Sequence, residues 1–194
     1  MVDRIEILVE EPSMEEVLKG LLPGILPEGW AVDKNCFVRP HQGKQDLQRS
    51  IPRKVAAASK KDIMIGFIIL QDQDSADCVE LKHKLATLCD TAFVGGHAVP
   101  YKVRVVCHEL EAWYLGDMSA IEKVFPRFKP AQYQNKRMFR NPDKCVNPKR
   151  ELKNIVGDYS QIATAREMAQ HMCPAKNKSC SFNHFVKALI QMAS

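Results

Sequence analysis

Ile63-Met64-Ile65-Gly66-Phe67-Ile68-Ile69-Leu70 runs without a break into Gln71-Asp72-Gln73-Asp74, and this stretch decides the fold. Eight nearly continuous apolar residues, rich in β-branched side chains, predict a strand covered on both faces, as in a parallel sheet with helices above and below. Two more segments read as strands. Arg4–Val9 is short and β-branched, and residues 101–107 (Tyr-Lys-Val-Arg-Val-Val-Cys) alternate before becoming wholly apolar.

Helical patterns lie between the strands. Ser13 with Glu16 three residues on predicts a capping box, followed by an apolar stripe of Val17, Leu18, Leu21 and Leu22, ending near Gly20 and Pro23-Gly24. A second helix is expected over about 44–60, with Pro52 breaking or restarting it, and a third over about 76–90. Gly95-Gly96 then turns the chain into the last strand. Strands spaced by helices imply βαβ crossovers, hence an α/β, Rossmann-like, mostly parallel sheet flanked by helices. Beyond residue 108 the sequence gives helices only, near 108–125, 148–156, 160–171 and 181–192. The expected organisation is an α/β core over 1–120 with a basic helical part, 121–194, packed on it.

The 194 residues include 50 Leu, Ile, Val and Phe, enough for a packed core. No apolar run approaches the ~18 residues of a membrane span, so no membrane partner is expected. Seven cysteines, an odd number without a CxxC pair or a secretion signal, point to reduced thiols and a cytoplasmic protein. The net charge of +5 conceals an asymmetry. Residues 1–120 carry 14 Lys/Arg against 18 Asp/Glu, whereas 121–194 carry 14 against 5.

The acids are not scattered. Val9 is followed by Glu10-Glu11, Leu70 by Asp72 and Asp74, and Cys107 by His108-Glu109-Leu110-Glu111. In a parallel sheet the strand C-termini share one rim, where ligands bind. Carboxylates converging there repel one another unless protonated or joined by a cation, and all-oxygen donors favour Mg²⁺ or Mn²⁺ over Zn²⁺. The competing reading is helix capping and solvation. Asp72-x-Asp74 alone also suits aspartyl phosphatases, whose motif follows a first strand, and receivers, which need a lysine on a late strand that is not found here. Glu111 is the best candidate for a further metal ligand, with Glu109 as a helix cap; if Glu111 opens a helix, His108 shares its face at i, i+3, although His108 reads more readily as a strand-end residue than as a base. Trp113 is expected in the core.

Glu10 after a first strand with Asp72-x-Asp74 after a later one resembles the TOPRIM (topoisomerase–primase) layout, shared by nucleases of the overcoming-lysogenization-defect type. More closely, several stretches together resemble the bacterial domain-of-unknown-function family 4276, which is TOPRIM-like. They are Val9–Ser13, Gly43–Leu47, Asp72–Asp74, Glu109–Asp117 (Glu-Leu-Glu-Ala-Trp-Tyr-Leu-Gly-Asp), Pro148–Leu152 and Ser179–Phe182. The resemblance implies a Mg²⁺-dependent phosphodiester-cleaving fold, in bacterial defence or mobile-element settings beside an ATPase partner. Glu10 would serve as general acid/base or metal ligand, and Asp72 and Asp74 as metal ligands. Two positions depart from the TOPRIM pattern: Glu11 replaces a glycine, and Met14 an acid.

From Lys123 to Lys153 there are ten Lys/Arg, opposed only by Asp143 and Glu151, with Phe125, Phe128, Tyr133 and Phe139 interleaved. Basic groups neutralise phosphates and aromatics stack on bases, so nucleic acid, DNA or RNA, is the expected partner. Lys136, Arg137, Arg140 and Arg150 are the candidate backbone contacts. Lys44, in the turn His41-x-Gly43-Lys44, is a further phosphate contact, supported mainly by the resemblance. Lys149 or Arg150 would stabilise the charged transition state. Zinc at His171-x-Cys173 with Cys180-x₃-His184 is disfavoured, because the spacing fits no known zinc class. The leading expectation is a Mg²⁺/Mn²⁺-dependent nuclease. The alternatives are a non-catalytic module partnering an ATPase and, less well supported, a small-molecule phosphohydrolase.

Overall fold

The computed structural model describes residues 2–92 and 96–194. It contains four strands, β1 (Arg4–Val9), β2 (Cys36–Pro40), β3 (Ile65–Asp72) and β4 (Tyr101–Val106), all parallel, in the order β2-β1-β3-β4. Helices α1 (Pro12–Leu21), α2 (Lys44–Ala58) and α3 (Cys78–Asp90) connect them. After β4 come α4 (Glu111–Leu115), α5 (Met118–Val124), α6 (Pro130–Tyr133), α7 (Arg137–Arg140), α8 (Pro148–Val156), α9 (Gln161–His171) and α10 (Cys180–Ala193). The α/β class, the parallel sheet and the C-terminal helices agree with the sequence.

The alternation of β3 divides the interior. Ile68 and Leu70 face a core with α1, α9 and α10, whereas Ile65, Phe67 and Ile69 face a core with α2 and α3. The first core runs from Val2 to Ala193 and so draws on both ends of the chain. Gly20 shows how closely α9 seats on α1: a Cβ there would stand 2.5 Å from the Ala169 Cβ. Trp113 is fully buried against Phe182 and Phe185, and its Nε1 donates to Ser181 Oγ at 3.0 Å.

Several local expectations are corrected. Strand β2 was not anticipated from the sequence, and β3 runs two residues later at each end, so Gln71 and Asp72 belong to the sheet. Helix α2 passes through Pro52 unbroken, because Leu47, Ile51, Val55 and Ala58 form a buried stripe that outweighs the one missing hydrogen bond. The capping box at Ser13 does not form: Pro12 opens α1 behind Glu11, and Glu16 pairs instead with Arg166 at 2.7 Å. The 108–125 helix is two short ones, parted at Gly116-Asp117, where Asp117 caps α5. Of the turn at Gly95-Gly96, Gly95 lies outside the described residues.

Candidate metal centre

Strand β1 feeds α1 and β2 on one side, while β3 lies on its other side, so the β1–β3 boundary is the switch point of the sheet. Val9 and Leu70 are in register there. The residues just beyond them are therefore neighbours, and the Asp72 N–H donates to Glu10 Oε2 at 3.3 Å. Gly43 N–H donates to the Glu10 carbonyl at 3.0 Å, holding the start of α2 against this end of β1. Gly43 does so at φ 90°, a conformation that favours glycine. Glu11 is extended, at φ −136° and ψ 157°, so its backbone needs no glycine.

The loops after β3 and β4 are tied together. Gln73 N–H donates to Val106 O and Asp74 N–H to His108 O, each at 2.9 Å. Both Asp74 (φ 51°) and His108 (φ 59°) take the left-handed conformation. His108 therefore lies outside α4 and does not share a helical face with Glu111, a correction to the expected pairing. Glu109 is also corrected: its carbonyl accepts the Ala112 N–H of α4 at 3.0 Å, but its side chain caps nothing there and instead accepts the Lys149 N–H at 3.1 Å, at the start of α8. That bond brings Lys149 to the rim. Glu111 sits in the first turn of α4, buried, and Tyr159 donates its hydroxyl to Glu111 Oε1 at 2.8 Å.

These residues enclose a cavity of about 170 Å³. Glu10, Asp72, Asp74, Glu111 and Lys149 all line it, together with Glu109 and Met14. Burial, then the charge of Asp74, pushes the Glu10 carboxyl from 4.5 up to about 7. Burial, then Glu10 and Glu111, holds Asp72 well above the usual carboxylate range. Burial also raises Glu111, against the opposing pull of the Tyr159 hydroxyl. Asp72 Oδ1 is buried without a hydrogen-bond partner. Such a group is costly unless something positive meets it. The donor set is all oxygen, which suits a hard divalent cation. As the side chains stand, no three His, Cys, Asp or Glu among the described residues close into a metal-holding group. The cavity thus has the charge and the orphaned oxygen for a cation, with the carboxylates around it rather than already drawn together.

The other candidates divide. Lys44 reaches Asp74, Nζ to Oδ2 3.3 Å, beside the cavity. Lys136, Arg137, Arg140 and Arg150 are exposed and do not line it. The aromatics of the basic tract pack on one another: Phe128 and Phe139 are buried, Tyr133 stacks on Phe128 at 5.0 Å, and Phe125 meets Tyr159 edge-on. They form a small core rather than stacking platforms for bases. His41 is buried between Val9 O and Ser50 Oγ, so the turn offers the exposed Lys44, already paired with Asp74, rather than the histidine to a ligand. Cys180 and His184 share a cavity with Cys78 and Cys107, without His171 or Cys173, so the zinc-like quartet does not assemble. Tyr159 escaped the sequence reading, since a tyrosine in the short link between two helices carries no signal of a carboxylate partner.

None of the described helices is long and apolar enough to cross a membrane. The chain matches no curated protein and no solved structure. One family does match, over residues 9–190, a span that takes in every side chain of the carboxylate cavity, and the chain belongs to that family, described as a domain of unknown function (DUF4276).

Proposed function

We propose that this protein is a TOPRIM-like, Mg²⁺- or Mn²⁺-dependent phosphodiesterase that cleaves nucleic acid. The observation that carries the reading is the single cavity lined by Glu10, Asp72, Asp74, Glu111 and Lys149, drawn from three strand ends and from α8. On this reading Glu10, Asp72, Asp74 and Glu111 hold the cation, and loading draws them together from their present positions. A bound cation of this kind activates water and offsets charge on the phosphate. Lys149 stands at the cavity wall as the cationic group for the transition state. Lys44 orients the phosphate from the Asp74 side. The exposed cations Lys136, Arg137, Arg140 and Arg150 hold the nucleic-acid backbone by charge alone.

The test is cleavage of DNA and RNA with Mn²⁺ by the wild type, Glu10→Ala and Asp72→Ala, with Mn²⁺ binding measured separately by calorimetry. Cleavage that persists equally in both variants overturns the reading. A second reading, a non-catalytic module that partners an ATPase in a defence or mobile-element system, is favoured by Met14. That residue puts a thioether in the cavity wall where TOPRIM proteins have an acid. It requires neither Mn²⁺ binding nor cleavage.

A further inference from the structure

Asp74 also lines a second, larger cavity, of about 490 Å³, walled by α2, the end of β3 and α3. Its side chains include Lys44, Gln48, Gln71, Leu81 and Lys84. Gln71 decides its character. It points from β3 toward α2 and α3, is 2% exposed, and its Oε1 accepts from Gln48 Nε2 at 3.0 Å. Among the described residues none accepts from the Gln71 Nε2, which is not wholly shut off from solvent, so this amide has a donor left to offer at the cavity wall. A donor at a cavity wall with no protein acceptor is met by water or by a ligand that replaces the water.

The wall suits a nucleobase. Paired side-chain amides present a donor and an acceptor side by side, the pattern that reads a base edge. Leu81 supplies an apolar surface for the ring, and the volume lies in the range of small-ligand sites. The acids nearby are already engaged or solvated. Asp74 is paired with Lys44, Asp77 accepts the Val79 and Glu80 N–H groups, and Glu80 is exposed. Because Asp74 lines both cavities, a base held here has its phosphate next to the carboxylates. A base within a duplex cannot enter such a cavity without leaving the stack.

Resting on the nuclease reading, we infer that this cavity holds the base of the nucleotide adjoining the cleaved phosphate, and that the substrate is single-stranded nucleic acid. Gln48 and Gln71 read the base edge, Leu81 supports the ring, and Lys44 and Lys84 face the flanking phosphates. Each amide exchanges its donor and acceptor on a half-turn, so the pair accommodates more than one base.

The experiment titrates adenosine, guanosine, cytidine and uridine, without metal, into the 194-residue protein followed by NMR. It compares the wild type with Gln71→Leu, Gln48→Ala and Lys61→Ala, the last a control at the opposite end of the sheet. Saturable binding of at least one nucleoside is expected, weakened about tenfold in both glutamine variants and unchanged in the control. Gln48→Ala alters a half-buried helix position and keeps the test valid should Gln71→Leu fold poorly. Absence of saturable binding, or equal binding in all four proteins, overturns the inference. Cleavage with Mn²⁺ of single-stranded and duplex oligonucleotides is scored alongside. Cleavage without nucleoside binding removes the base subsite and leaves the nuclease reading intact. Nucleoside binding without cleavage removes the nuclease reading, and with it the substrate role, while the base-binding cavity stands.

Discussion

The Tyr159 hydroxyl donates to Glu111 Oε1 at 2.8 Å, joining the segment between α8 and α9 to a buried carboxylate in the first turn of α4. The bond favours the ionised form of Glu111 against burial, which favours the neutral one. Tyr159→Phe keeps the ring against Phe125 and deletes only the donor. It is expected to raise the Glu111 pKa further, to weaken Mn²⁺ binding, and to cost about 1–2 kcal/mol of stability. Urea unfolding and calorimetric Mn²⁺ titration at pH 8 check this. Unchanged values in both remove Tyr159 from the site.

Glu10 gives a pH dependence of unusual sign. Its folded-state pKa lies above the unfolded one, from 4.5 up to about 7, so the folded protein holds a proton that the unfolded chain releases. Its contribution is therefore most favourable below about pH 4.5 and is lost as pH rises through 7, and Asp72 acts in the same direction. Metal-free protein is expected to lose about 2 kcal/mol between pH 5 and 8, after allowance for solvent screening. Glu10→Gln flattens that slope. Mn²⁺ affinity moves the opposite way, rising below pH 7 by about tenfold per pH unit for each proton that binding displaces. Melting temperatures across pH 5–8, with and without Mn²⁺, test both. A metal-free melting temperature that rises across this range would falsify the assignment.

Much of the fold was legible because burial and periodicity agree. Strand β3 is apolar at nearly every position since both faces are covered, and α8 begins at Pro148 as the sequence predicts. Strand β2 was not legible. It is five residues long, its two buried side chains are Cys36 and Val38, and it ends at Pro40, so local signals read as a loop. Only pairing with β1 makes it a strand. The four carboxylates of the candidate site were visible because strand C-termini in a parallel sheet must share a rim. The helical pairing of His108 with Glu111 does not form because a left-handed residue at 108 ends the strand and starts no helix, which residue type alone does not reveal.

The basic tract and its aromatics separate experimentally. Lys136, Arg137, Arg140 and Arg150 are exposed, so neutralising all four to Gln is expected to leave stability within about 0.5 kcal/mol. The same change lowers nucleic-acid affinity and reduces the slope of log K against log salt by about 0.7–0.9 for each phosphate no longer neutralised. Phe128→Ala does the reverse. It opens the cluster with Tyr133 and Phe139 at a cost of about 3–5 kcal/mol, without changing the salt slope. Fluorescence anisotropy across a salt series and urea unfolding make the comparison. A salt slope unaltered by the fourfold change means that other cations hold the nucleic-acid backbone.

Lys149 distinguishes holding a cation from acting on a phosphate. Its N–H is fixed by Glu109, and its side chain is exposed at the wall of the carboxylate cavity, where its charge lowers the Glu111 pKa. Removing that charge in Lys149→Met leaves the carboxylate ring more negative. Mn²⁺ affinity is therefore expected to stay the same or increase, the reverse of Glu10→Gln. Cleavage behaves differently, because a cation beside the scissile phosphate counts most as charge develops on it, so the rate falls about tenfold or more. Since backbone rather than side chain makes the bond to Glu109, the substitution leaves the start of α8 in place and the two effects remain separable. Single-turnover cleavage and Mn²⁺ calorimetry on the same preparation read them independently. Loss of Mn²⁺ binding in Lys149→Met would mean that the lysine supports the cavity's structure, and transition-state stabilisation would have to come from another group.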